Sequence, residues 1–140
     1  MTVTAYGFGH KVNMPYEQAV EAVKAALKSE GFGVLTEIDV KKTLKEKLGA
    51  DFRPYIILGA CNPSLAHKAL SNDLDIGLLL PCNVVVYQAD YPEAGEQGQW
   101  SVIKAMDPVV ALGQVSVEGL GEVATQARAK LERALAGLAE

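Results

Sequence analysis

Ile76-Gly77-Leu78-Leu79-Leu80-Pro81-Cys82-Asn83-Val84-Val85-Val86-Tyr87 is the longest apolar run of the chain, and the strand arrangement follows from how it divides. It divides into two β-rich runs, Ile76 to Leu80 and Asn83 to Ala89, set back to back around Pro81-Cys82. A crossover to a parallel neighbour takes a dozen or more residues, so runs this close in sequence pair antiparallel. Trp100 to Met106 supplies a third run after the polar turn Glu93-Ala94-Gly95-Glu96-Gln97-Gly98, and the three predict an antiparallel meander.

Upstream, Phe52 to Gly59 reads as a further strand, with Pro54 near its start, where a missing N–H is tolerated. Asn62 as cap and Pro63 at the first helical position then open a helix whose apolar face is Leu65, Ala66, Ala69 and Leu70. Phe32, Val34, Thr36 and Ile38 alternate with Gly33, Leu35 and Glu37, the period of a strand. Asp39 caps a short helix that runs through Leu48 and closes at Gly49. Tyr16 to Glu30 carries helical spacing in Tyr16, Ala19, Val20, Val23, Ala26 and Leu27, with Gly31 as its stop. Thr2 to Val12 reads as one strand, bent at Gly7 and Gly9.

At the other end, Val117 to Leu138 is a long amphipathic helix with Leu120, Ala124, Ala127, Leu131, Leu135 and Leu138 on one face, suited to packing across a sheet or against a partner helix in a dimer. Strands near both ends, without regular strand-helix alternation, predict the α+β class. The expected architecture is a curved antiparallel sheet with helices on one face and extra short helices between strands.

A chain of 140 residues that is 49% apolar fits one domain and buries a core without disulfides or metal. Its formal charge of -4 argues against general affinity for a phosphate backbone, so no nucleic acid is expected as partner. The start, Met1 to Tyr6, lacks the basic and apolar regions of a secretory signal. The longest apolar run is broken by Gly77, Pro81 and Asn83 and falls short of the roughly 20 residues that cross a bilayer. The expectation is a cytoplasmic protein, without membrane contact, whose two cysteines stay free.

Four stretches carry a family resemblance: Gly31-Phe32-Gly33-Val34-Leu35-Thr36-Glu37-Ile38-Asp39-Val40, Lys47-Leu48-Gly49, Tyr55-Ile56-Ile57-Leu58-Gly59-Ala60-Cys61-Asn62-Pro63, and Leu78-Leu79-Leu80-Pro81-Cys82-Asn83-Val84-Val85-Val86. In their order the chain resembles the family catalogued as domain of unknown function 302, over nearly its whole length. The resemblance implies a β-α-β4-α arrangement akin to the TATA-binding-protein fold. It implies no activity and supplies no catalytic residue, because a shared fold does not carry function with it.

The residues themselves offer a short set of candidate ligand-binding positions: Cys61, Asn62, Cys82, Lys41 and Lys42. Cys61 stands where a strand runs into a helix N-terminus, whose positive end stabilises a thiolate. Cys82 is the candidate second thiol, although the spacing is nothing like Cys-x-x-Cys, and both are equally suited to filling apolar space. Asn62 serves either as a helix cap or as an amide at a pocket rim. Lys41 and Lys42 oppose the dipole at the start of their helix, where an anion would relieve them, unless Glu37, Asp39 and Glu46 already make this a balanced solvated face.

His10 and His67 complete no recognised zinc spacing with the cysteines, so neither a metal nor another cofactor is expected. The glycines form no dinucleotide or Walker fingerprint. Phe52, Tyr55, Tyr87 and Trp100 are suited to lining a cavity between the sheet and the long helix, and equally to filling the core. Two functions follow. One is a non-enzymatic small-ligand-binding or interaction domain, with an anionic or other small molecule, or a second copy of the chain, as partner. The alternative is a thiol-dependent redox or transfer protein that uses Cys61 with Cys82. The non-enzymatic reading is the one adopted here.

Overall fold

In chain order the elements are β1 (Thr2–Val3), β2 (Gly7–Val12), α1 (Tyr16–Ser29), β3 (Gly33–Asp39), α2 (Val40–Leu48), β4 (Tyr55–Cys61), α3 (Pro63–Asn72), a 3-10 helix (Leu74–Leu79), β5 (Cys82–Gln88), β6 (Ser101–Met106), α4 (Pro108–Leu112) and α5 (Leu120–Ala136). The structure is a computed structural model that describes residues 1–90, 99–113 and 117–138. All six strands join one antiparallel sheet, ordered β1-β2-β6-β5-β4-β3. The β3 to β6 strands form a meander, and β2 lies against its last member. Stripped of short additions, the order is β-α-β4-α, an α+β fold.

Local chemistry accounts for most of the boundaries. Asp39 accepts from the Lys42 amide at 3.0 Å and Gly49 closes α2 at φ 66°, where a side chain would be strained. Asn62 caps α3 by accepting from the Leu65 amide at 3.3 Å, with Pro63 following. The same pairing recurs at Asp107-Pro108, where Asp107 accepts from the Val109 amide at 2.9 Å and starts α4.

One face of the sheet packs against α1 and the second half of α5, burying Phe8, Val23, Leu27, Leu58, Ile103 and Leu131 among others. Buried Ser101 ties β6 to the entry of α1 by donating to the Met14 carbonyl at 2.9 Å. A second apolar cluster joins α3, the 3-10 helix, α4 and the first half of α5 through Leu65, Ala69, Ile76, Leu112, Leu120 and Val123. The apolar stripe of α5 is therefore divided between two cores. No helix among the described residues is long and apolar enough to cross a membrane.

Three expectations need correction. Thr2 to Val12 is two strands, because the chain turns at Thr4, whose amide and hydroxyl both donate to the Gly7 carbonyl, at 2.7 and 3.1 Å. Ile76 to Leu80 is not a strand: the Asp73 side chain accepts from the Asp75 amide at 3.0 Å and its carbonyl from the Ile76 amide at 3.1 Å, which starts a 3-10 turn. Only Ile76 of that run is buried; Leu74 and Leu78 are 84% and 87% exposed. The period of β3 breaks at a bulge between Val34 and Thr36, so Val34 pairs with Ala60 and Thr36 with its neighbour Gly59. Thr36 and Ile38 thus leave the face that Val34 serves, and Glu37 turns to the helices, where it meets Lys24 of α1 at 2.7 Å. The expected turn at Glu93 to Gly98 lies outside the described residues.

Candidate functional site

The register places Ala60 opposite Cys82, so Cys61 sits one residue beyond that pair at the end of β4. Both thiols line one cavity, together with Asn62, Phe32, Leu65 and Leu112. It holds about 30 Å³ of free space, room for about one water, and its walls are almost wholly apolar. Burial pushes the Cys61 thiol up, against the lowering expected from the helix start, and pushes Cys82 up to about 11, with Cys61 adding to the rise. The helix N-terminus is already engaged by Asn62, whose amide nitrogen also approaches the Glu30 carbonyl at 3.5 Å. Lys41 and Lys42 project from α2, exposed and outside the lining of this cavity. The five candidate positions therefore separate into a group of three and a group of two.

The Cys82 shift has a direct consequence for stability. The unfolded thiol ionises from near pH 8.5–9, whereas the folded one holds its proton to about 11. Between those values the native state binds more protons than the unfolded state, so stability falls as pH rises and levels off above about 11. The expected loss is about 2–3 kcal/mol. Urea unfolding at pH 8 and pH 11 checks it: Cys82→Ala should remove the part of the difference that Cys82 contributes, and an unchanged pH dependence in that variant would contradict the assignment. Tyr16, raised to about 12 by burial and then by Asp39, adds a slope of the same sign above its own ordinary range near 10 in both proteins.

His10 lies on β2 and His67 is exposed on α3. No group of three or more His, Cys, Asp and Glu side chains that would hold a metal is present among the described residues.

The other face of the sheet bears no helix of either core. Alternation along β4, β5 and β6 turns Tyr55, Ile57, Asn83, Val85, Tyr87, Val102 and Lys104 toward it. Tyr55 and Tyr87 are register partners and stack with ring centroids 5.1 Å apart and planes 3° from parallel. Phe52 tilts against Tyr55 at 6.1 Å. The expected aromatic cavity between sheet and long helix is therefore corrected: Tyr55 and Tyr87 point away from α5, because they alternate with Ile56 and Val86, which fill the core.

These tyrosines border a depression of about 360 Å³ whose floor and rim include Gly7, Val85, Asn83, Lys104 and Met106, with Thr4 and Tyr6 on the far side. Gly7 contributes bare backbone to it. Burial, followed by the nearby Tyr87 and Tyr6 hydroxyls, raises the Tyr55 hydroxyl above its usual range. Two other surface grooves flank α3 and α5, but long polar side chains such as Lys68, Gln126 and Lys130 line them, with no aromatic ring among the described residues.

Residues 8–138 match the family described as "Domain of unknown function DUF302". The chain belongs to the DUF302 family. Its structure is similar to the crystal structure of uncharacterized conserved protein DUF302 from Bacillus stearothermophilus, with a TM-score of 0.80 and 33% identity over 95% of this chain and 98% of that one. No curated protein matches the chain. Neither description assigns DUF302 an activity.

For this DUF302 chain, sequence reasoning missed Tyr6, Asn83 and Lys104. The signal for Asn83 and Lys104 was present: each occupies an outward position in a strand whose alternate residues are apolar. Tyr6 carried no such signal, since it joins the depression only because the chain turns back at Thr4.

Proposed function

We propose that this protein is a non-catalytic binding domain whose working surface is the face of its sheet that no helix of either core covers. The observation that carries this reading is the depression beside the stacked Tyr55 and Tyr87: about 360 Å³, lined by aromatic and apolar groups, with Thr4, Asn83, Lys104 and the tyrosine hydroxyls as its polar ones. Small-molecule sites have this size and composition, being concave, mostly apolar and oriented by a small number of polar groups. The thiol cavity supports packing instead. It has about 30 Å³ of room, and both thiols are raised, so the nucleophilic thiolate is scarce at neutral pH.

A second reading, self-association, draws on a different observation. Leu35, Ile38, Leu48 and Phe52 are exposed along β3, α2 and the loop after it, and apolar surface of this kind marks interaction sites.

A fragment screen followed by amide chemical shifts tests the reading. Neutral aromatic fragments are expected to move the amides of Asn83, Val85, Tyr87 and Lys104, and Tyr87→Ala is expected to weaken them about tenfold. Shifts confined to the thiol cavity or to the α3 groove would overturn the assignment. Sedimentation of the same samples over a range of concentration reports the second reading.

A further inference from the structure

We propose that the depression on the uncovered face selects a planar aromatic molecule bearing one anionic group, with Lys104 as the residue that receives the anion; this rests on the binding role proposed above. Three observations lead there. Among the described residues, Lys104 is the only charged one that lines the depression. It is half-buried, and among the described residues its ammonium has neither an ion-pair partner nor a hydrogen bond. Finally, no carboxylate occupies an outward position on β2, β4, β5 or β6, in a chain whose net charge is -4.

An unpaired ammonium on a partly desolvated floor is a standing cost that an incoming anion removes. The rest of the wall fixes the shape of what brings that anion. The Tyr55–Tyr87 stack offers flat apolar surface on one side, Val85 and Met106 offer it below, and the Tyr6 ring closes the far rim. Asn83 lines the same depression two residues along β5 from Val85, the register partner of Lys104, and its side-chain amide can donate to an oxygen or accept from a ligand N–H. Among the described residues the depression offers no carboxylate to a metal ion or a polycation.

Two dyes isolate the anion. 8-Anilinonaphthalene-1-sulfonate and N-phenyl-1-naphthylamine share one ring system and differ only in the sulfonate. Fluorescence titration of the native protein is expected to show the sulfonate dye binding about tenfold more tightly, the worth of one charge-assisted hydrogen bond. Lys104→Met should abolish that difference and leave the neutral dye unchanged; Tyr87→Ala should weaken both. Lys104→Gln serves as a second variant, and melting curves confirm that each is folded.

Equal binding of the two dyes, untouched by either lysine substitution, overturns the anion preference while leaving the binding face intact. Failure of both dyes to bind, or binding indifferent to Tyr87→Ala, overturns the face itself and this inference with it. A native dimer that dissociates on Tyr87→Ala and excludes the dyes also overturns it, by giving the face to a second copy.

Discussion

Alanine at position 9 is expected to cost at least about 3 kcal/mol of folding stability, more than any surface change elsewhere in the sheet. Gly9 pairs with Lys104 in the β2–β6 ladder. A Cβ there overlaps the carbonyl oxygen of Ile103 outright, and lies 2.7 Å from Cα of Lys104 and 2.8 Å from the carbonyl carbon of Ile103. All three obstacles are main chain, so no rotamer change relieves them; the strands must part. Parting lengthens ladder hydrogen bonds and opens the core beneath, where Phe8 and Ile103 are buried. Urea unfolding measures the loss, and a decrease below about 1 kcal/mol would show that the two strands separate freely. The same variant should also disturb the depression, since Lys104 moves with β6.

Asp107→Ala is the second large effect, at about 2 kcal/mol, most of it the lost helix cap. This carboxylate is 5% exposed and serves two partners with its two oxygens. Oδ1 accepts from the Val109 amide at 2.9 Å and starts α4, while Oδ2 faces the Arg128 guanidinium of α5 at 3.3 Å. Truncation leaves a cap unmade and the guanidinium without its buried partner, although Arg128 keeps Glu132 at 2.8 Å and part of its hydration. Asp107→Asn keeps an acceptor for the Val109 amide and removes the charge, so it should recover about 1 kcal/mol. A double-mutant cycle with Arg128→Met separates the two parts: full additivity would mean that the ion pair contributes nothing and the cap carries the whole loss.

Legibility in the sequence followed how local the cause was. Caps at Asp39 and Asn62, the stop at Gly49 and the helical stripes of α1 and α5 are decided within a turn of chain, and each was readable. The β3 bulge was not, because it answers to a partner: Gly59 accepts Thr36 rather than Leu35 opposite it, and a Cβ at Gly59 would overlap the Thr36 hydroxyl and approach the Pro81 ring at 2.8 Å. The run from Ile76 to Leu80 misled because a short apolar segment has no period of its own, and Asp73, three residues ahead of it, decided the outcome. Asp107-Pro108 repeats the signal of Asn62-Pro63 and was there to be read.

The candidate site fared less well for the same reason. Cys61, Asn62 and Cys82 were singled out by local context and do converge, yet what surrounds them, and therefore their acidity, is set in large part by Phe32 and Leu112 from distant parts of the chain. The depression depends on which side of the sheet the helices leave bare. That is a property of the whole topology, visible in no single segment.

The division of α5 between two cores bears on how the molecule loosens. Its first half, through Leu120, Val123 and Ala127, walls one cluster, and its second half, through Leu131 and Leu135, walls the other. Because one unbroken ladder of main-chain hydrogen bonds spans both, neither cluster melts without fraying the helix that the other needs. Amide exchange along α5 would then proceed as a single event at both ends, and the α3 end of the molecule, although remote from most of the sheet, shares its lifetime.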